Sequence, residues 1–405
     1  MKIIHTSDWH LGNRLMDHSR MEEFKQFLEF MLHTLEQEKP DALLVSGDIF
    51  DNTTPSEGVR EMYCDFLSRA HGAGCGQVVI TAGNHDGVTQ LGVERPLLKR
   101  HHCHLVTSLR QENAADCLVE LKDAAGTPQA LVCAVPFLRV AEVSLRADAD
   151  DEAGRSTSYV RGVAAVYARV AELAAEWKAA HPQCPVLAMG HLLLGGAETT
   201  PSTRNLTIGN VEAVGRDVFS PVFDYVALGH IHRGYGDDRI RYCGSPLPMG
   251  MDEAAAPHRL LVWEDGAVRE LPVPDFTLFR SVSCRGKEEL GKTLDGLAAE
   301  AERTGKPVWL QLEYTGGDRT LQEVRDTAAR REKHIPVCLA RKTGTHATAA
   351  ALMGRQESLH QLGPQEVFNT RLDEYTQEHS MTDADRREVA KCFSTILSTV
   401  LSNKH

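Results

Sequence analysis

Basic residues are in deficit. There are 44 Lys and Arg against 56 Asp and Glu, a net charge of −12 over 405 residues. Proteins that coat nucleic acid by bulk charge are basic, so that class is excluded; a local nucleic-acid site that contains metal cations is not. CxxC pairs are missing too. The ten cysteines are scattered between Cys64 and Cys392, which argues against a zinc ribbon or a dithiol redox site. Reduced, mostly buried thiols in a cytoplasmic protein are the expectation. No uninterrupted apolar run approaches the roughly 20 residues needed to cross a bilayer. The start, Met1-Lys2-Ile3-Ile4-His5, reads as a first strand rather than a signal peptide. What is present is globular material, 42% hydrophobic and 25% charged, enough for one large domain and one or two smaller ones.

Up to about residue 270, short apolar runs alternate with helical stretches. The expected strands are 2–6, 42–46, 78–81, 131–135, 186–189 and 225–228, and the expected helices 20–38, 58–70 and 158–180. In the third helix Val163, Val166, Tyr167, Val170, Leu173 and Trp177 recur at helical spacing. Residues 148–154 read as a polar, acidic loop ahead of it. Such alternation implies an α/β layered domain over 1–271, ending near Pro272 and Pro274. Residues 279–342 carry 13 basic and 10 acidic side chains, a surplus of three in an otherwise acidic chain. With a half-exposed strand at 308–314 and a helix at 321–331, a small α+β domain is expected there. Residues 343–405 comprise a polar link and a terminal amphipathic helix, 382–401, with Val389, Cys392, Phe393, Ile396, Leu397 and Val400 on one face.

Five polar clusters follow or end apolar strands: Asp8-Trp9-His10, Gly47-Asp48-Ile49-Phe50-Asp51, Gly83-Asn84-His85-Asp86, Gly190-His191 and Gly229-His230-Ile231-His232. One such cluster would be an ordinary strand-end cap; five in one chain call for a common purpose. Asp8 and His10, two apart across a tight turn, can face one ion, and so can His230 and His232. The two oxygens of Asp48 can bridge two cations, and Asn84 adds a neutral oxygen that limits the negative charge. Mixed N and O donors suit Mn²⁺, Fe²⁺ or Zn²⁺ better than a purely hard Mg²⁺ site. Two such cations about 3.5–4 Å apart can activate water and neutralise a transferring phosphoryl group.

Together these blocks resemble the signature of calcineurin-like metallophosphoesterases. The runs His5-Thr6-Ser7-Asp8-Trp9-His10-Leu11-Gly12, Pro136-Phe137-Leu138-Arg139 and Tyr242-Cys243-Gly244-Ser245-Pro246 further resemble the nuclease-subunit family of the bacterial SbcCD complex, over nearly the whole chain. The resemblance implies a four-layer α/β/β/α sandwich, a small α+β capping domain and a C-terminal helical tail. It also implies two divalent ions, with Mn²⁺ expected: Asp8, His10, Asp48 and His232 around the first, and Asp48, Asn84, His191 and His230 around the second. His85 would act near the scissile phosphate and leaving oxygen, with Asp51 orienting it. Asp86 reads as a turn-fixing residue as readily as a catalytic one.

The implied activity is metal-dependent phosphodiester hydrolysis on DNA, as an ATP-dependent 3′–5′ double-strand exonuclease and a hairpin and single-strand endonuclease. The implied partners are a second copy of the nuclease and an ATPase of the structural-maintenance-of-chromosomes type, docked through 343–405; no membrane is involved. Arg14, Arg20, Arg139 and Arg233, and the loop 192–210, are candidate phosphate contacts. The alternatives are a stand-alone metallophosphatase acting on small nucleotides or phosphoproteins, and a non-enzymatic assembly protein with a degenerate site. The full ligand set argues against the latter.

Overall fold

The computed structural model describes residues 1–143 (without 16, 17, 94, 99, 100 and 124), 152–195, 213–315, 323, 324, 326, 327 and 337–342, and single residues at 368, 372, 389 and 393. Met1–Tyr314 and Asp318–Lys342 form one compact unit, and Thr315–Gly317 with Thr343–His405 a second. In the second, the Phe368 and Phe393 rings stack with centroids 3.8 Å apart. Most of the expected terminal helix lies outside the described residues.

Two mixed six-stranded sheets build the body. The first joins β1 (Lys2–Thr6), β4 (Ala42–Ser46), β5 (Gln77–Thr81) and β6 (Cys103–Val106) in parallel, and β13 (Arg259–Glu264) and β14 (Ala267–Pro272) extend it antiparallel from β1. The second has β8 (Pro128–Ala134), β9 (Val186–His191), β10 (Tyr225–Gly229) and β12 (Ile240–Tyr242) in parallel. Its antiparallel edges are β7 (Leu118–Lys122) and β11 (Tyr235–Gly236). A two-stranded ribbon, β2 (Arg14–Leu15) and β3 (His18–Ser19), follows the first motif.

Side-chain alternation sorts the layers. In β1 and β4, Ile4, Leu43 and Val45 point into a core shared with α1 (Met21–Glu38) and α2 (Glu57–Ala70). Ile3, Ala42 and Leu44 point the other way, into a core shared with the second sheet and with helix Glu152–Ala180. Every residue of β4 is buried, and each large apolar side chain there contributes roughly 1.5–3 kcal/mol. The six expected strands and three expected helices all form. The long helix starts at Glu152, so 152–154 belong to it and not to the expected loop. Among the described residues no helix is long and apolar enough to cross a membrane.

The small sheet departs from expectation. It consists of β15 (Leu278–Cys284), β16 (Val308–Tyr314) and β17 (Val337–Lys342), all parallel. Helix Gly286–Thr304 supplies the crossover that parallel neighbours require, so the unit is βαβ in type rather than α+β. As the middle strand, β16 buries Val308, Trp309, Leu310, Leu312 and Tyr314 and exposes only Glu313. The half-exposed strand read from its pattern holds at 310–314, where Gln311 and Glu313 face outward; only Trp309 departs, because it packs with Leu15, Met251 and Phe279. Of the helix expected at 321–331, only 323, 324, 326 and 327 are described, and these are helical.

Candidate metal centre

All five polar clusters emerge from the carboxyl ends of parallel strands, β1, β4 and β5 of one sheet and β9 and β10 of the other. Open α/β sheets place ligands at these ends. The turns are tied together by main-chain bonds: Asp8 N donates to Gly47 O and His10 N to Asp48 O, both at 3.0 Å, and Leu11 N to Ile49 O at 2.9 Å. Trp9, between the two expected ligands of its turn, is wholly buried. It packs edge-on against Phe27 of α1 and Phe66 of α2, and so anchors the turn to the helical layer.

Backbone strain is concentrated here. Seven described non-glycine residues have positive φ, and four of them are expected ligands: Asp8 (53°), His10 (45°), Asp48 (51°) and His230 (95°). Each such conformation costs about 1–3 kcal/mol and persists only where its surroundings enforce it. Two glycines permit the close approach. A Cβ at Gly47 (φ 84°) would lie 2.2 Å from His191 Nδ1, and one at Gly83 2.1 Å from Asp48 Oδ1.

The side chains converge. His10 Nε2 is 3.2 Å from His232 Nε2 and 3.6 Å from Asp48 Oδ2. His191 Nε2 is 3.2 Å from Asp48 Oδ2 and 3.0 Å from Asn84 Oδ1, and His230 Nδ1 is 3.0 Å from the same Asn84 oxygen. Donor atoms close enough to share an ion fall into three groups: Asp8, His10 and His232; Asp48, His191 and His230; and His10, Asp48 and His85. The seven expected ligands and His85 thus share one cleft.

Outer contacts fix which atom of each group faces inward. His191 Nδ1 donates to the Ser46 carbonyl at 2.9 Å, so Nε2 is the nitrogen turned to the centre. His232 Nδ1 lies 3.0 Å from Glu253 Oε1, whose other oxygen accepts Met249 N at 2.9 Å. Asp8 Oδ1 accepts His230 N at 2.9 Å, and Asp48 Oδ1 accepts His85 N at 2.9 Å. Motif reading misses Glu253, since it lies in a loop 21 residues beyond His232 and only folding brings it there. Carboxylates behind metal-binding histidines raise their basicity and set their orientation. We expect Glu253→Gln to weaken metal affinity about 10–100-fold; metal titration of the dialysed protein checks this, and unchanged affinity would remove Glu253 from the centre.

The electrostatics suit a cation. Burial holds His230 down at about 3 and His10 well below its ordinary value, so both are neutral as ligands must be. Burial works against charge on Asp48 and His191 as well. Their mutual attraction prevails, holding Asp48 well below the carboxylate range and His191 up at about 9. Burial also disfavours a charged His232, yet its hydrogen bond with Glu253 raises it. A proton on His191 thus balances buried carboxylate charge, and divalent ions can supply that charge in its place. Four imidazoles, two carboxylates and an amide oxygen fit such ions.

Asp86 is a turn-fixing residue in this structure. Its carboxylate accepts Ile49 N, Phe50 N and Gly83 N at 2.8–3.2 Å, and burial, with Asp48 nearby, pushes its pKa up to about 6. Asp51 meets His85 through its main-chain carbonyl, which accepts from Nδ1 at 2.9 Å. Its carboxylate accepts Asn13 Nδ2 at 2.9 Å and lies 3.7 Å from His10 Nδ1. Asp51 thus stands where it can orient His85, and the contact it makes there is through its main chain. Two of the four candidate phosphate arginines are structural. Arg20 is buried, and Arg139 donates to the Asp86 carbonyl at 2.8 Å, bracing the Asn84–His85 turn. Arg14 and Arg233 are exposed. Of the loop 192–210, residues 196–210 lie outside the described residues.

The family model for calcineurin-like phosphoesterases matches residues 1–234. The chain is 29% identical to the SbcD component of the SbcCD nuclease of Escherichia coli K12, with all of both chains covered. It is 32% identical to that of Rhodobacter capsulatus, over 91% of this chain and 93% of that one. The chain belongs to the calcineurin-like phosphoesterases, in the SbcD family. As a calcineurin-like phosphoesterase it is a metal-dependent hydrolase of phosphate esters, and the cleft at the strand ends is where its residues gather donors for divalent ions.

Proposed function

We propose that the protein is the nuclease component of an SbcCD-type complex and hydrolyses DNA phosphodiester bonds at this cleft. The observation that carries the proposal is the convergence of Asp8, His10, Asp48, Asn84, His191, His230 and His232 with His85 in a chain similar over its full length to proteins named as nuclease subunits. Two Mn²⁺ ions are the expected cofactors, one held by Asp8, His10, Asp48 and His232 and the other by Asp48, Asn84, His191 and His230. When bound, they supply Lewis-acid activation of water and charge neutralisation at phosphorus.

The protein's own groups do the rest. Asp48, between the two donor sets, keeps them in register. Asn84 contributes an oxygen without adding charge. The Asp51 carbonyl accepts the Nδ1 hydrogen of His85 and so turns Nε2 toward the leaving oxygen; the doubly protonated ring donates its Nε2 hydrogen there and is left as the neutral Nδ1–H imidazole. No side-chain nucleophile is required, so no covalent phosphoenzyme forms.

The partners follow from the family: a second copy of the nuclease chain and an SMC-type ATPase bound to 343–405, with 279–342 capping the DNA. In that assembly the activity is ATP-dependent 3′–5′ exonuclease on duplex ends and endonuclease on hairpins and single strands. Arg14 and Arg233 remain candidate phosphate contacts. The discriminating assay uses Mn²⁺-loaded protein, with and without the ATPase, on hairpin DNA and on a small phosphomonoester. Cleavage of DNA in preference to the monoester supports a nuclease; the reverse preference supports a stand-alone phosphatase.

A further inference from the structure

Beside the metal cleft runs a buried polar chain that the hydrolytic step does not itself employ. Its centre is Arg20, only 2% exposed, which is rare for a guanidinium. Arg20 Nε donates to Glu23 Oε2 at 2.7 Å and Nη1 to Asn13 Oδ1 at 3.1 Å. Asn13 in turn donates to the Asp51 carboxylate at 2.9 Å, and the Asp51 carbonyl receives His85. In the other direction Thr277 Oγ1 donates to Glu23 Oε1 at 2.7 Å, across 254 residues of sequence. Thr277 immediately precedes β15, the first strand of the small parallel sheet. An unbroken series therefore connects His85, Asp51, Asn13, Arg20, Glu23 and Thr277.

Stability alone does not account for this arrangement. Arg20 Nη2 is buried without a hydrogen-bond partner. Desolvating an ion pair that leaves a donor unsatisfied offsets much of its attraction, and apolar residues of similar volume often serve as well or better. Packing at the joint is also incomplete. A cavity of about 100 Å³ is lined by Glu23, Pro274, Phe276 and Thr277 among others. Nearby, Leu15 and Trp309 form a small apolar cluster with Met251 and Phe279, and the Arg20 guanidinium lies 5.9 Å from the Phe279 ring centroid. Next to a void, a directional bond such as Thr277–Glu23 specifies position where close packing does not.

We infer that Arg20 is a positioning residue for hydrolysis: through Asn13 and Asp51 it sets the orientation of His85, and through Glu23 and Thr277 it makes that orientation depend on where the small parallel sheet sits. The inference rests on the reading of His85 as the group at the leaving oxygen. Placement of the small sheet then influences the chemical step itself, in addition to any contact the sheet makes with substrate.

The test uses the full-length protein with Mn²⁺ and the dinucleotide thymidylyl-thymidine, a diester whose leaving sugar oxygen needs a proton and which carries no further phosphate to engage the small sheet. Thr277→Val removes the hydroxyl at nearly constant volume. It should lower kcat about tenfold, with KM and Mn²⁺ stoichiometry unchanged, and Thr277→Ser should restore turnover. Arg20→Lys keeps the charge but loses the fork that reaches Asn13 and Glu23 together, and should lower kcat similarly. Adding Thr277→Val to Arg20→Lys should cost little more, because both act through one chain. Wild-type kcat in Thr277→Val, a loss confined to KM or to melting temperature, or multiplying effects in the double variant would overturn the inference. A wild-type protein that binds Mn²⁺ yet leaves the diester intact would instead bring down the proposed function, and the inference with it; no variant is needed to see that result.

Discussion

His85→Ala should lower phosphodiester turnover by about 100-fold or more, the range for losing a general acid, while the bound metal stays at two ions per chain. The geometry makes this a sharp test, because His85 also stands close enough to His10 and Asp48 to share an ion with them. Its ring packs edge-on against His10, with centroids 4.9 Å apart, and its Nδ1 is occupied by the Asp51 carbonyl. A ligand and a proton donor at this position differ in one measurable respect. Losing a ligand releases an ion; losing a donor leaves metal content intact and slows the step in which the leaving oxygen departs. Elemental analysis of the dialysed variant beside its turnover separates the two. An alanine variant that retains both ions and full activity would remove His85 from the mechanism.

Asp48→Asn should have the largest effect on metal binding of any single change. Asp48 Oδ2 faces His191 on one side and His10 on the other, while Oδ1 accepts His85 N. Asparagine tolerates the left-handed backbone at this position (φ 51°), so the substitution isolates charge from strain. Removing that charge leaves His191 without the partner that sustains its proton and leaves both donor sets without a shared anion. Affinity for both ions should fall by more than about 100-fold, beyond the range for residues that merely orient a ligand, and turnover should fall with it. Calorimetric Mn²⁺ titration with a parallel melting curve distinguishes this from unfolding. Two ions held at wild-type affinity would show that Asp48 does not join the sites.

Local chemistry makes much of this legible in the sequence. The central strands are continuous apolar runs because both faces of each sheet are covered, and each ends in a glycine-marked polar cluster where the chain turns into the cleft. Strand limits therefore agree within a few residues, and Asp8, Asp48, Asn84, His191 and His230 meet in one cleft because their strands end side by side. What escapes depends on distant pairing. Glu253 reaches His232 through a loop without a motif. Arg20 reads as a surface arginine until folding sets Asn13, Glu23 and Phe279 around it. Asp51 does lie beside His85, but whether its carboxylate or its carbonyl makes the contact depends on backbone geometry that residue type does not encode. The small sheet departs from its pattern for a related reason. Alternation along 308–314 gives the buried face correctly but says nothing of the parallel partners on both edges, or of the apolar neighbours that cover Trp309.

Whether the centre takes two ions and hydrolyses DNA is tested most directly by one titration. Metal-free protein is supplied with Mn²⁺ in steps, and hairpin-DNA cleavage and bound Mn²⁺ are followed in the same samples. Cleavage that is absent without metal and reaches its plateau as the second equivalent binds is the predicted result. Saturation at one equivalent, or two equivalents bound with no cleavage of DNA in the presence of the ATPase, would contradict it.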